Sequence, residues 1–206
     1  MKLSFRQPKL YKSNRAELIW SPEEVQALLD AARPKEARVI IAASEGGLSP
    51  QDIGILKLRH VQATPRGRRL FLRRTKTGNP ISLPVTPALG ALIDTVPSGQ
   101  EWIVTSRTGK RLTSLRASQI IREVKLRHNA RARLDADMMP IRDELHPYDL
   151  RGTAATALLR AGCSLKEIAV TMGWGLRHAG PVIERYVALV PEVLVKLMAV
   201  RSRQDP

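Results

Sequence analysis

The chain has 206 residues, with 34 Lys or Arg against 19 Asp or Glu, a formal net charge of +15. At 43% hydrophobic and 26% charged residues it can bury a core, which excludes a disordered basic tail and points to a polyanionic partner. A single cysteine, Cys163, excludes an intramolecular disulfide framework and a cysteine zinc cluster, and no run approaches the ~20 apolar residues of a membrane span. Aromatic residues make up only 4%, which argues against stacking of unpaired bases and favours a duplex.

Residues 1–19 carry Lys2, Arg6, Lys9, Lys12 and Arg15 without periodicity and read as a basic arm or linker; residues 20–206 read as one domain. Ser21-Pro22-Glu23-Glu24 announces a helix with a capping box, its apolar face built from Val25, Leu28, Leu29 and Ala32. A second helix spans about Glu36 to Glu45 and stops at Gly46-Gly47. A third restarts at Ser49-Pro50-Gln51-Asp52 and is expected to bury Ile53, Leu56 and Leu58. Leu70 and Leu72, then Ile81, Leu83 and Val85, alternate around Thr77-Gly78-Asn79, the signature of a hairpin with Lys76 just before its turn. Helices resume after Thr86-Pro87, after Thr113-Ser114 to about His128, from Asp149 to Ala161, from Ser164 to Met172, near Ala179 to Ala188, and from Pro191 to about Val200. The fold class is mainly α (α+β), many helices with one small antiparallel sheet.

Charge is uneven along the chain. Lys57, Arg59, Arg66, Arg68, Arg69, Arg73, Arg74 and Lys76 occur with no intervening acid, and Arg107 to Arg133 holds nine basic residues against Glu123 alone. Arg66, Arg68, Arg69, Arg73, Arg74, Arg107, Lys110, Arg111 and Arg116, with Arg177 and His178 further on, are the candidate phosphate contacts, and binding through them is expected to be salt-dependent. His60 and His128 read as surface members of these runs.

The C-terminal third reads Tyr148-Asp149-Leu150-Arg151-Gly152-Thr153, then Ala161-Gly162, Met172-Gly173-Trp174 and Ile183-Glu184-Arg185-Tyr186. In this order and spacing it resembles the catalytic domain of the tyrosine recombinases, the phage integrase family. The resemblance places Arg151 at the second catalytic arginine, Lys76 in Arg74-Thr75-Lys76-Thr77-Gly78 at the hairpin lysine, Trp174 at the His/Trp position and Tyr186 at the nucleophile. Each residue taken singly has an ordinary structural reading: a first-turn arginine, a hairpin charge, a core aromatic, a half-buried tyrosine.

The chemistry explains the residue types. Attack on a phosphodiester adds charge to oxygens that are already negative, so a guanidinium fork at Arg151 is suited to stabilise it. The Tyr186 phenol, with a free pKa of about 10, needs a positive site before it attacks. The phosphotyrosyl link it forms conserves the energy of the broken strand, so no metal, ATP or other cofactor is implied. Lys76 is the implied general acid for the leaving 5′ oxygen, with Trp174 packing or donating its indole N–H against the phosphate.

Two positions depart from the family. Where the first arginine belongs, the chain reads Gly47-Leu48-Ser49-Pro50-Gln51-Asp52-Ile53, with Ser49 in the arginine's place and Asp52 at the matching acid. Ser49 is a ready N-cap, but a hydroxyl is no bidentate fork, and loss of one such donor costs about 10²–10³ in rate. On this reading Ser49→Arg raises activity, unless another group has taken over, with His146, Arg142 and Arg73 the nearest candidates. Tyr148 stands where the family has histidine, with His146 two residues earlier as a possible support.

The sequence therefore reads as a recombinase catalytic domain without the family's N-terminal core-binding domain, a cytoplasmic, nucleoid-associated protein acting on double-stranded DNA, impaired at the first arginine. Its partners are duplex DNA and a DNA-dependent homo-oligomer or an intact recombinase, with no membrane. Two alternatives stay open: a recombinase-derived DNA-binding protein that has lost catalysis, and a transcriptional regulator with Asp149 to Gly173 as its helix-turn-helix. In the first reading the apolar stripe Val193, Leu194, Leu197, Met198 serves assembly or packs on its own core.

Overall fold

Proline-started, hydroxyl-capped helices dominate the architecture seen in the computed structural model, which describes residues 15, 18–175 and 180. Among them are helices Pro22–Asp30 (α1), Pro34–Ser44 (α2), Pro50–Ile53 (α3), Pro87–Asp94 (α4), Ser114–Ala132 (α5), Leu150–Arg160 (α6) and Leu165–Met172 (α7). Strands Val61–Thr64 (β1), Gly67–Arg73 (β2) and Pro80–Pro84 (β3) form one antiparallel sheet in that order, and 3₁₀ turns cover Leu58–His60 and Pro147–Asp149. Ser21, Ser49, Thr86, Thr113 and Ser164 each accept an N–H from the third residue of the helix they start, as hydroxyl N-caps do.

Helix α2 lies at the centre. Its Val39, Ile40, Ala42 and Ala43 are buried, and α1, α3, α4, α5 and α6 all pack against it. In the sheet, Leu70 faces Leu83 and Leu72 faces Ile81, and all four are buried, as the period-two pattern requires. A second apolar cluster joins Ala155 and Leu159 of α6 to Ile168, Ala169 and Met172 of α7. Because α7 also packs on β3, the C-terminal helices are tied to the hairpin.

The irregular chain from Met138 to Pro147 is held by polar groups of α5. Lys125 Nζ donates to the carbonyls of Arg142, Asp143 and Leu145, each at 2.8 Å. Asn129 pairs with both the N–H and C=O of Ile141, and His128 Nε2 lies 2.9 Å from the Met139 carbonyl oxygen. These contacts satisfy backbone groups that would otherwise be buried unpaired, and they carry α5 past the expected end at His128.

Several expectations are corrected here. His128 is buried, and His60 is half-buried with Nδ1 accepting the Lys57 N–H, so neither is a surface member of a basic run. Leu58 is exposed, because α3 ends at Ile53 and the chain turns through 3₁₀ geometry. Strand β1 was not anticipated: Val61 to Thr64 shows no clean alternation. Arg15 is docked on the domain, its guanidinium bonding the Asp149 carboxylate and the Glu144 carbonyl. The remainder of the expected arm, apart from Leu18 and Ile19, and the helices expected near 179–188 and 191–200, apart from Gly180, lie outside the described residues. Among the described residues no helix is long and apolar enough to cross a membrane.

Two predictions follow from the packing. A Cβ on Gly54 would sit 2.4 Å from the Leu112 carbonyl oxygen, a backbone atom with no room to yield. Gly54→Ala is expected to destabilise the fold by about 1–3 kcal/mol, lowering Tm by several degrees in thermal melts. Glu24 is buried, and burial alone would raise its pKa; the Arg142 guanidinium and the N–H groups of Ser21 and Arg142 outweigh this and hold it below 4.5. A lowered folded pKa means that its stabilisation is complete above the unfolded value and is lost as pH falls through the folded one. Unfolding free energy measured in denaturant is expected to drop as pH falls below about 4.5, with a smaller drop in Glu24→Gln.

Candidate active site

Five chain segments meet at one open pocket of about 710 Å³. The start of α3 supplies Ser49 and Asp52, the β2–β3 loop Arg74, Lys76 and Thr77, and the start of α5 Ser114, Leu115 and Ser118. The turn into α6 supplies Tyr148 and Arg151, and the end of α7 Gly173 and Trp174. Lys76, Arg151, Tyr148, Trp174, Ser49 and Asp52, all singled out from the sequence, are thus brought together. Tyr186, Arg177 and His178 lie outside the described residues.

Arg151, in the first turn of α6, is 7% exposed. Its Nη1 donates to the Gly47 carbonyl at 2.9 Å and its Nη2 to the Met172 carbonyl at 3.0 Å. The guanidinium carbon lies 5.6 Å from the Trp174 ring centroid and 6.0 Å from that of Tyr148, which itself is well exposed. Lys76 stands exposed on the loop.

Arg74 is the surprise. Counted from the sequence among the candidate phosphate contacts of a basic run, it is 5% exposed and binds the same two carbonyls as Arg151. Its Nη1 donates to Asp52 Oδ2 at 2.6 Å and to the Gly47 carbonyl at 3.5 Å, and its Nη2 to the Met172 carbonyl at 2.8 Å. The Nε is buried and has no acceptor among the described residues. The signal for this was present: the alternation that turns Leu70 and Leu72 inward places Arg74 inward and Arg73 outward.

Asp52 is the anionic anchor of the site. Burial opposes its ionisation, but the Ser49 hydroxyl at 2.6 Å, the Thr75 N–H at 3.0 Å and Arg74 outweigh it and hold the carboxyl below 3.8. Gly173 closes α7 in the left-handed conformation (φ 64°), where a Cβ would lie 2.4 Å from Ile81 and 3.0 Å from Arg74 Nε. Glycine therefore lets α7 end against the buried guanidinium. Among the described residues that line the pocket, Arg74, Arg151 and Lys76 stand against Asp52, three positive charges and one negative, which suits an anion. Among the described residues no group of His, Cys, Asp or Glu could hold a metal ion.

None of the three residues considered for the first arginine's work lines this pocket. Arg142 is committed to Glu24 and the Ile19 carbonyl, and Arg73 points outward with Nη1 on the Gly78 carbonyl. His146 is no neighbour of Arg151 in the pocket: it borders a separate cavity with Trp20, Lys125 and Leu145, its N–H on Asp149 and its carbonyl accepting from Trp20. Among the proposed phosphate contacts, Arg66, Arg73, Arg107, Lys110 and Arg111 are exposed. Arg68 pairs with Asp94, Arg116 with Glu123, and Arg69 bonds Gln62.

The fold has relatives among solved structures. A crystal structure of XerA recombinase superposes with a TM-score of 0.64 at 17% identity, covering 92% of this chain and 66% of that one. Lambda integrase residues 75–356 bound to DNA gives 0.62 at 17% identity, covering 80% and 58%. The Tn1549 transposon integrase, residues 82–397 with circular intermediate DNA, gives 0.64 at 14% identity, covering 92% and 67%. The chain thus spans about three fifths to two thirds of these structures, and identities this low establish the fold, that of the tyrosine-recombinase catalytic domain. No curated protein matches in sequence. Residues 20–189, however, match the phage integrase family, and this chain belongs to that family.

Proposed function

We propose that this domain is the catalytic part of a site-specific DNA recombinase, cutting and rejoining strands through a 3′-phosphotyrosyl link on Tyr186. The observation that carries the reading is the pocket itself: Lys76, Tyr148, Arg151 and Trp174, chosen for their order along the chain, line one cavity, where among the described residues three positive charges stand against one negative. A scissile phosphate bound there has its non-bridging oxygens facing the Arg151 guanidinium, with the Tyr148 phenol and Trp174 indole as further donors. The Tyr186 phenol gives up its proton to solvent as its oxygen attacks phosphorus, the P–O5′ bond breaks, and the Lys76 ammonium gives its proton to the departing oxygen. A 5′-hydroxyl then attacks the phosphotyrosyl ester, displaces Tyr186 and reseals a strand.

The duplex is held by phosphate contacts through exposed Arg66, Arg73, Arg107, Lys110 and Arg111, with half-buried Arg69 beside them. Arg68 and Arg116 sit in exposed ion pairs, weak enough to exchange for phosphate. Arg177 and His178 are assigned the same role from the sequence. The lambda integrase structures include a dimer on a core site and a tetramer on a Holliday junction. On that analogy this chain works as a DNA-dependent oligomer, with itself or an intact recombinase. The regulator reading has less support, since α6 and α7 pack into a core cluster behind the pocket. The non-catalytic reading rests on the two departures from the family, Ser49 and, as the milder one, Tyr148.

A nicked suicide duplex that carries a candidate recombination site tests the proposal through a denaturant-resistant protein–DNA band. Tyr186→Phe is expected to abolish the band. Lys76→Ala should form it about 10²–10⁴-fold more slowly, with the rate restored by a bridging 5′-sulfur, a leaving group that needs no proton. In binding assays, raising salt from about 50 to 200 mM should weaken affinity by orders of magnitude, and a flat response would remove the phosphate-contact assignment.

A further inference from the structure

We propose that Arg74 supplies the second guanidinium of the phosphate site, reaching it from the β2–β3 hairpin instead of from position 49. The inference rests on the recombinase reading above and deepens it.

Two arginines that line one pocket, both more than nine-tenths buried, share the Gly47 and Met172 carbonyls. Bringing like charges this close costs free energy unless anions are supplied. Among the described pocket residues Asp52 is the one anion, and exposed Lys76 adds a further positive charge. A phosphate bound in the pocket lowers that cost for Arg74. Arg74 Nε is a buried donor with no acceptor among the described residues, capacity that the fold itself does not use.

The chemistry at Asp52 shows why serine is tolerated at 49. Ser49 Oγ and Arg74 Nη1 both lie 2.6 Å from the same carboxylate oxygen, Asp52 Oδ2. An arginine at 49 would reach for the carboxylate that Arg74 already holds. Serine fills the remaining space, caps α3, and leaves Arg74 as the fork. The first arginine's work is thus relocated, and Ser49→Arg alone gains nothing, contrary to the expectation from the sequence.

The test compares the full chain with Arg74→Ala and the exchange Ser49→Arg/Arg74→Ser on suicide duplexes carrying either a phosphate or a neutral methylphosphonate at the scissile position. A guanidinium that balances a non-bridging oxygen is dispensable when that oxygen becomes a methyl group, whereas a merely structural arginine is not. Arg74→Ala should lose about 10²–10³-fold in adduct rate on phosphate, and recover to within about tenfold of wild type on methylphosphonate. The exchange variant should cleave phosphate at least about tenfold faster than Arg74→Ala, and it decides the matter if circular dichroism shows that Arg74→Ala does not fold. Unimpaired cleavage of phosphate by Arg74→Ala, a folded Arg74→Ala deficient on both substrates, or a folded exchange variant without adduct each overturns the role of Arg74 while Tyr186-dependent cleavage by wild type stands. No Tyr186-dependent adduct from wild type on either substrate overturns the recombinase reading and Arg74's role with it.

Discussion

The site depends on two buried guanidinium groups held against one carboxylate and two backbone carbonyls. Arg74, Arg151 and Asp52 are each less than one-tenth exposed, so every charge among them has lost most of its water. Such a cluster persists only when donors and acceptors are matched closely, because an unpaired buried charge costs several kcal/mol. The matching determines how three elements meet. The Gly47 turn before α3, the β2–β3 loop and the C-terminus of α7 must bring their groups to one point, and Gly173 is what allows the last of them to approach. The cluster is thus a positioning device first, with its excess positive charge facing the open pocket.

Its geometry is stiffened from the opposite side by α5. Lys125, His128 and Asn129 satisfy the backbone from Met139 to Leu145, and that segment leads directly into the turn that carries Tyr148 and Arg151. Arg142 and Arg15 add pairs to Glu24 and Asp149 along the same stretch. An irregular segment is thereby tied to a helix at five residues, which fixes the turn that carries Tyr148 and Arg151 relative to α5.

The same contacts show how a run of charge along a sequence divides in three dimensions. Of the cations between Lys57 and Lys76, Lys57 finds Glu101, Arg68 finds Asp94 and Arg74 finds Asp52, all from outside the run. In the second run Lys125 is buried on carbonyls and Arg127 pairs with Glu36. What remains at the surface, including Arg66, Arg73, Arg107 and Lys110, is a smaller and more selective set of positive groups than the composition implies.

Where free energy is local, the sequence by itself determined the outcome. Hydroxyl caps with proline at the first turn placed the helix starts, alternation paired Leu70 with Leu83 and Leu72 with Ile81, and the order of Lys76, Arg151 and Trp174 marked the family and much of the pocket. These signals lie within a turn or a strand's period of the atoms they control. The tertiary structure alone decided which cations are buried, that α5 turns Lys125 and His128 inward, and that His146 faces a different cavity from Arg151. It also decided that Arg74, which alternation turns inward, meets Asp52, twenty-two residues away in sequence. The reason is physical: the cost of burying a charge depends on partners brought together only when the chain folds, and no window of sequence contains both members of such a pair.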